Sequence, residues 1–300
     1  MFNLGKILPS DTNINFLKIK KYTTTLSCLF VVLTFILIFF KGLNLGIDFK
    51  GGVLIEAEIK EIKISDLRSN LTEKFDDVTI QEFGSPNNVI IKLQNKENIE
   101  NLKLINNIKE SIGENIVEFR RSEFVGPTIS NELFINGLKA ICFAVFAVLI
   151  YVWFRFEWQF GFGAIVALIH DVLITLGILS FLNIDFNLST IAAILTISGY
   201  SINDTIVIFD RIRENLRKYK KMELLDLFNL SLNNTLSRTI VTSLTTLIAL
   251  FSLYFLGGEV IRSFSFTMII GVLVGTYSSI FVAVPSLLVF KFRRRSEEEI

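Results

Sequence analysis

The stretch 196–211, TISGYSINDTIVIFDR, decides how this chain is interpreted, because it places a carboxylate inside a long apolar segment. Thr196, Tyr200 and Asp204 recur at every fourth position and therefore share one face of a helix. A carboxylate at the centre of a membrane span costs roughly 2.5–3.5 kcal/mol on insertion scales, so such a residue usually marks a functional site. We therefore predict a site within the membrane around Asp204 and its neighbour Asn203.

The composition of the 300 residues predicts a membrane protein. Hydrophobic residues make up 51% of the chain and 29 residues are Phe, which is too apolar for an ordinary soluble domain. Lys and Arg total 30 against 29 Asp and Glu, so there is no global basic charge to indicate nucleic-acid binding. Cys28 and Cys142 both fall in apolar stretches. We predict that both are small buried hydrophobic side chains, with no disulfide framework, metal site or cofactor site.

Six apolar stretches are long enough to cross a hydrocarbon core of roughly 30 Å. They lie at 22–40, 133–154, 160–182, 188–210, 239–256 and 264–290. The first follows a polar lead and lacks a small-residue cleavage site, so we expect it to remain as an anchor. The predicted fold class is an α-helical polytopic membrane protein, with transmembrane helix 1 at 22–40, a polar insert at 41–132 and a five-helix bundle at 133–290.

The basic residues predict the orientation of the chain in the bilayer. They cluster in three loops that six spans would place on one side, at 18–21, 211–221 and 291–295. The loop 183–187, which falls on the other side, contains an acid and no base. Because short basic loops stay in the cytoplasm, the N-terminal segment 1–21 and the tail 291–300 are both predicted to be cytoplasmic.

The insert 41–132 is then extracytoplasmic, and it has the pattern of a folded α+β domain. Residues 52–59 alternate apolar and polar side chains as a half-buried strand does. Amphipathic helices and further strands follow in the order β-α-β-β-α-β. This order predicts a ferredoxin-like sandwich, with helices on one face of the sheet and the other face open to a partner.

Connectors rich in Gly or Pro flank this domain. The segment 46–52, GIDFKGG, lacks the Ser/Thr of a phosphate-binding loop, which favours a sharp turn with positive φ at the two terminal glycines and an Asp cap. A role of Asp48 in proton uptake stays open. At the other boundary, Gly126 and Pro127 predict a rigid hinge. The predicted connector and hinge residues are Gly46, Asp48, Gly51, Gly52, Gly126 and Pro127.

The third span contains a histidine and an aspartate near its middle. His170 and Asp171 lie about halfway along the span, and Asp171 shares a face of small and polar residues with Ala167 and Thr175. Two interpretations are open for Asp171, a proton relay or a hydrogen-bonded knot between helices. For His170 the structural interpretation is favoured.

The fifth span opens with an arginine that could face Asp204. Arg238 and Thr242 lie on one stripe of this span, and Arg238 enters from the cytoplasmic side. Asp204 lies in the inner half of the fourth span, so the depths of the two side chains suit an ion pair. The alternative is that Arg238 extends towards the lipid headgroups.

Several blocks together resemble the SecF family, the smaller half of the SecDF protein-export accessory within the resistance-nodulation-division superfamily. They are 46–52 (GIDFKGG), 125–127 (VGP), 167–171 (ALIHD), 199–205 (GYSINDT), 209–215 (FDRIREN) and 236–239 (LSRT). The resemblance implies a bacterial inner-membrane protein that pairs with SecD, associates with SecYEG and YajC and promotes preprotein export with the proton-motive force. It also implies that Asp204 and Arg238, with Asp171 as a further candidate, form the proton pathway.

These implications predict a transport component without covalent catalysis, whose partners are SecD, protons, the translocating preprotein and the lipid bilayer. Cyclic protonation of Asp204 would change its pairing with Arg238 and tilt the extracytoplasmic domain. Three alternatives remain. They are half of a small-solute exporter of the same superfamily, an intramembrane aspartyl protease using Asp171 and Asp204, and a purely structural scaffold. The sequence disfavours the protease, because the depths of the two aspartates differ and neither sits in a Gly-x-Gly-Asp setting.

Overall fold

The structure is a computed structural model that describes residues 12–60, 64–75, 78–83, 85–93, 101–112 and 116–290. The predicted tail 291–300 and the beginning of the predicted N-terminal segment lie outside these residues. The helices are α1 (Lys20–Phe40), α2 (Ile47–Lys50), α3 (Ile64–Lys74), α4 (Asn101–Ile112), α5 (Pro127–Arg155), α6 (Trp158–Leu182), α7 (Leu188–Lys218), α8 (Leu224–Leu256), α9 (Glu259–Ser278) and α10 (Val284–Leu287). The strands are β1 (Gly52–Ile59), β2 (Val78–Phe83), β3 (Ser85–Leu93) and β4 (Ile116–Val125).

Six helical segments among the described residues are long and apolar enough to cross a membrane, as the sequence predicted. They are Phe16–Phe40, Thr128–Arg155, Trp158–Leu182, Leu188–Lys218, Leu224–Leu256 and Ile261–Leu287. Several helices extend beyond the apolar stretches, because hydropathy marks the part of a helix in lipid and not the point where the helix ends. α8, for example, begins at Leu224, since no Gly or Pro interrupts the residues before its apolar part.

The last apolar stretch is not one uniform helix. Residues Ser279–Ala283 form a π-helical turn between α9 and α10. Pro285 follows this turn and has no backbone N–H to bond to the preceding turn of helix. π-helical turns are rare and occur mostly as single widened turns within α-helices.

Two compact units make up the chain, and residues 44–139 with 185–188 form one of them. Its sheet has the strand order β2-β3-β1-β4, and all neighbouring strands are antiparallel. Strands and helices follow each other in the predicted β-α-β-β-α-β succession. Inward-facing residues of β1 alternate along the strand and pack with Leu67 and Leu71 of α3 and Ile108 and Ile112 of α4.

The other unit contains most of the long helices, and glycine allows some of them to approach closely. A Cβ on Gly177 of α6 would lie 2.1 Å from the Oγ1 of Thr34 on α1. A Cβ on Gly271 of α9 would lie 2.1 Å from the Cδ1 of Ile197 on α7. Small residues at such contacts stabilise helix packing in lipid, where no hydrophobic driving force holds helices together.

In the same unit, the segment before α1 is held by asparagine side chains of α8. The Asn233 Oδ1 accepts the N–H of Ile14 at 2.8 Å, and the Asn233 Nδ2 donates to the Ile14 carbonyl at 2.8 Å. One turn away, the Asn229 Oδ1 accepts the N–H of Leu17 at 3.1 Å. The backbone just before α1 is therefore fixed by residues that lie far away in sequence.

The prediction that both cysteines are buried is wrong, since Cys28 and Cys142 are exposed. α1 and α5 are apolar over most of their circumference, so the sequence does not indicate which side of either helix packs inward. In a bilayer an apolar side chain is as stable against lipid as against protein, which is why hydrophobicity alone did not predict burial here.

Candidate functional site

Asp204 on α7 is the carboxylate that the sequence singled out, and the structure buries it. The residue is only 4% exposed, and its Oδ2 has no hydrogen-bond partner among the described residues. A buried polar atom without a partner is costly, because it has given up its water without replacing it. Asn203 lies beside it on the exposed side of the same helix.

Arg238 on α8 does not form the predicted ion pair with Asp204. Within the described parts of α7 and α8, no hydrogen bond or salt bridge joins the two side chains, although Arg238 is close enough to interact with the carboxylate electrostatically. The Arg238 side chain is exposed, and its own backbone carbonyl accepts the hydroxyl of Thr242 at 2.9 Å. The side chains of Asp204 and Arg238 thus lie near each other without forming a salt bridge.

Asp171 on α6 lies at the centre of a hydrogen-bonded cluster, which we call the Asp171 cluster. It consists of His170, Asp171, Ser201 and Ser278. Asp171 is completely buried, and its Oδ2 accepts hydroxyl protons from Ser201 at 2.5 Å and from Ser278 at 2.8 Å. The His170 Nδ1 lies 3.0 Å from the Asp171 Oδ1. The cluster therefore ties α6, α7 and α9 together and leaves both carboxylate oxygens with partners.

Sequence reasoning did not find the two serines of this cluster. Ser201 is in the opening stretch, three positions before Asp204, but serine occurs so often in membrane helices that nothing singled it out. Ser278 is similarly inconspicuous. A second polar contact was also missed, in which the hydroxyls of Ser243 and Thr276 are 2.7 Å apart and Tyr200 donates weakly to Ser243 at 3.4 Å.

The two aspartates do not form a catalytic pair. No hydrogen bond joins Asp171 and Asp204 within the described residues of α6 and α7, and the Asp171 oxygens already have other partners. A proton shared between two carboxylates, which aspartyl proteases need, is thus not present in this arrangement. Over the described residues, no group of three or more His, Cys, Asp or Glu side chains could hold a metal ion.

The connector 46–52 has the expected backbone but an unexpected contact. Gly51 and Gly52 have φ of 74° and 139°, in the region that favours glycine. The Asp48 carboxylate, however, does not cap its own turn. Its Oδ2 accepts the backbone N–H of Leu188, the first residue of α7, at 2.9 Å. Gly46 donates its N–H to the Phe186 carbonyl at 2.8 Å in the same region.

The predicted hinge at the other boundary begins a helix. Pro127 is the first residue of α5, a position where the missing N–H of proline costs no helical hydrogen bond. The Gly126 carbonyl accepts both the N–H and the hydroxyl of Ser130, at 2.9 and 3.0 Å. The Gly-Pro pair therefore joins β4 directly to α5.

Comparison with known families identifies matches over nearly the whole chain. The family described as "Protein export membrane protein SecD/SecF, C-terminal" matches residues 105–293, and the "SecD/SecF GG Motif" matches 36–61. A "Protein translocase subunit SecF" from Rickettsia rickettsii is 43% identical over 300 residues, covering 98% of this chain and 97% of that protein. A protein of the same name from Rickettsia bellii is 44% identical over 290 residues.

Solved structures show the same similarity. The crystal structure of SecDF, described as a translocon-associated membrane protein from Thermus thermophilus, superposes with a TM-score of 0.85 at 38% identity. A structure of SecDF in a super-membrane-facing form gives a TM-score of 0.69, also at 38% identity. The match covers 94% of this chain but only 39% of the first SecDF chain, so this chain spans well under half of that protein.

Proposed function

Because this chain belongs to the SecF family of protein translocase subunits, we propose that it works with a SecD subunit and the proton-motive force to promote late steps of preprotein translocation through SecYEG. The complex, which would also include YajC, lies in the bacterial inner membrane, with both termini of this chain in the cytoplasm. This chain matches 39% of the solved SecDF chain, which also contains regions that this chain does not match.

The buried carboxylate of Asp204 is the observation that carries this proposal. It lies in an apolar helix, and one of its oxygens has no partner among the described residues. Either a proton or a cation would lower the cost of leaving this group buried and alone. A site that alternates between these two partners couples proton movement to a change in helix contacts.

Arg238 supplies the cation for that alternation. It lies close enough to attract Asp204 but is exposed and forms no salt bridge with it. We infer that the two side chains meet in one state of the cycle and separate in another. A proton that crosses a potential of about 100 mV supplies about 2.3 kcal/mol, which biases a two-state equilibrium by roughly 50-fold.

A polar exposed face around this site suits the SecD subunit. Thr196 and Asn203 on α7 and Arg238 on α8 are all exposed in this chain. Polar side chains that face lipid are costly, whereas the same side chains at a helix–helix contact are satisfied by the partner. This face is where we place SecD, which would complete the proton path with residues of its own.

The α+β unit, a ferredoxin-like domain between α1 and α5, is assigned to the extracytoplasmic side. The basic loops 18–21 and 211–221 support this orientation, since they stay in the cytoplasm and six spans then leave the insert outside. In this position the domain could contact a preprotein as it emerges. A change in the helices around Asp204 would move the domain and help the preprotein to leave the channel.

The test is Asp204→Asn in the complete SecD-containing complex, which preserves the shape of the side chain and removes its charge. Export of a preprotein into membrane vesicles is measured with and without a proton-motive force. We expect the variant to assemble with SecD but to lose the part of export that depends on the proton-motive force. Asp226→Asn, at an exposed position near the start of α8, is the matched control.

Unchanged export by Asp204→Asn would refute the proposal. The same vesicles also address the small-solute exporter, which predicts that the variant stops proton-coupled solute efflux and leaves preprotein export intact. A scaffold would tolerate alanine at both Asp204 and Arg238 in both assays.

A further inference from the structure

We propose that Asp48 is a positioning residue that fastens the connector 46–52 to the start of α7, so that the loop before α7 moves together with the α+β domain throughout the export cycle. This inference rests on the proposed function, because it describes how motion of the domain reaches the helix that carries Asp204. We call the contact between residues 44–49 and residues 185–188 the connector latch.

The first part of the connector latch is the carboxylate of Asp48. Its Oδ2 accepts the N–H of Leu188 at 2.9 Å. The first amides of a helix have no partner within the helix, and the helix dipole favours a negative charge there. Asp48 thus stabilises the start of α7 from a position 140 residues earlier in the chain.

The second part is a pair of backbone hydrogen bonds on the two sides of Phe186. Phe186 donates its N–H to the Asn44 carbonyl at 2.7 Å, and its carbonyl accepts the N–H of Gly46 at 2.8 Å. Leu45 and Phe186 form an isolated parallel β-bridge. Because these bonds use the backbone, they fix the relative position of the two segments whatever their side chains do.

Side chains also stabilise the connector latch. Asp185 accepts a hydrogen bond from the Asn44 Nδ2 at 2.7 Å and forms a salt bridge with Lys92 of β3. Phe186 is 2% exposed, and its ring centroid lies 5.6 Å from that of Phe49 in the connector. The loop 185–188 is accordingly part of the same compact unit as residues 44–139.

The connector 46–52 does not have the surroundings of a free hinge. A connector that works as a free hinge would need residues 46–52 to separate from their neighbours, whereas Gly46 and Asp48 are hydrogen-bonded to the loop before α7. Asp204 lies about 24 Å along the axis of α7 from Leu188, at about 1.5 Å per residue. A displacement of the connector latch would therefore act on the proton site through one continuous helix.

The first experiment compares Asp48→Asn with Asp48→Ala in the SecD-containing complex. An asparagine oxygen still accepts the Leu188 N–H but cannot carry a proton, whereas alanine does neither. We expect Asp48→Asn to keep export that depends on the proton-motive force within about twofold. Asp48→Ala should lower it roughly tenfold, since a hydrogen bond to a charged group changes an equilibrium by about that factor.

Each other outcome of this comparison overturns the proposal. If Asp48→Asn is as inactive as Asp48→Ala, export requires the charge or the proton of the Asp48 carboxylate, and the hydrogen bond to Leu188 alone does not account for its role. If Asp48→Ala exports as well as the unchanged protein, the hydrogen bond has no role. Asp204→Asn is assayed in parallel, so that failure of the proton site itself is distinguished from failure of the connector latch.

The second experiment closes the connector latch covalently and does not depend on the loss of a side chain. A Cβ on Gly46 would lie 3.1 Å from the Cβ of Asn187, so the two segments must move apart by a few tenths of an ångström to reach the separation of about 3.5–4.5 Å in disulfides. Gly46 has a φ of −71°, which any residue adopts. Gly46→Cys and Asn187→Cys are combined in a chain in which Cys28 and Cys142 are replaced by Ser.

We expect this pair to form a disulfide on mild oxidation and the oxidised complex to export within about twofold of the reduced one, the tolerance used for Asp48→Asn. Loss of export on oxidation, reversed by a reductant, would show that the two segments must separate and would overturn the proposal.

Discussion

Asp171 and Asp204 are both buried carboxylates in apolar helices, but their surroundings differ. The oxygens of Asp171 have partners on α6, α7 and α9, whereas the Oδ2 of Asp204 has none among the described residues. A satisfied buried network rigidifies a structure, while an unsatisfied group is a place where a proton or a partner can be gained. We therefore propose that Asp171 holds the helices together and that Asp204 gains and loses a proton or a charged partner.

The two aspartates are expected to differ most in export. Asp204→Asn should lower export driven by the proton-motive force at least tenfold, because about 2.3 kcal/mol per proton at 100 mV would no longer be used. Asp171→Asn should remain within about threefold, since the amide oxygen still accepts the serine hydroxyls. Both are measured in the same vesicle assay, and equal losses would remove the distinction between the two aspartates.

The second effect concerns stability, where substitution of Asp171 should cost more than substitution of Asp204. Asp171→Ala should lower the free energy of unfolding of the complex by about 2–4 kcal/mol, because it leaves the Ser201 hydroxyl buried without an acceptor and the Ser278 hydroxyl with only the Gly275 carbonyl at 3.1 Å. Asp204→Ala should cost less, since no hydrogen bond to its Oδ2 is lost. Denaturant titration in detergent compares the two. A larger loss from Asp204→Ala would mean that Asp204, and not Asp171, holds the helices together.

A smaller effect tests whether the Asp171 cluster acts as one unit. Ser201→Ala and Ser278→Ala should each cost about 1 kcal/mol in the free energy of unfolding. Because both hydroxyls bind the same oxygen, the double variant should differ from the sum of the single changes by roughly 0.5 kcal/mol or more. Strict additivity in a double-mutant cycle would indicate two independent contacts.

The smallest effect is expected at Tyr200. Its hydroxyl lies 3.4 Å from the Ser243 Oγ, at the long end of hydrogen-bond distances. Tyr200→Phe should therefore change the free energy of unfolding by less than about 0.5 kcal/mol. A loss comparable to that of the serine variants in the same titration would show that the Tyr200–Ser243 contact stabilises the packing of α7 against α8.

The sequence predicted the elements of the fold well because their signals are local. Apolar length identified the six spans, and the alternation in residues 52–59 identified β1. The contact between Asp48 and Leu188 could not be predicted in this way, since it joins segments 140 residues apart that have no shared pattern. It depends on the tertiary arrangement of a connector and a loop.

The site was predicted only in part for a related reason. The positions of Asp204 and Arg238 along their spans predicted compatible depths, but a pair also needs the two helices to be rotated towards each other. α8 is apolar over most of its circumference, so its rotation cannot be read from hydrophobicity, and Arg238 is exposed instead of bonded. Asp171 was placed correctly on an inward face because its own helix turn carries small residues on that side.

The asparagine contacts before α1 have a consequence for the biogenesis of this chain. Ile14 and its partner Asn233 are 219 residues apart, so a ribosome that adds about 5–20 residues per second needs roughly 10–45 s between them. During that interval the first span can already be inserted, while the segment that precedes it waits for α8 to be made. Translation of the fifth span therefore sets the earliest moment at which the N-terminal end of the helix bundle can be completed.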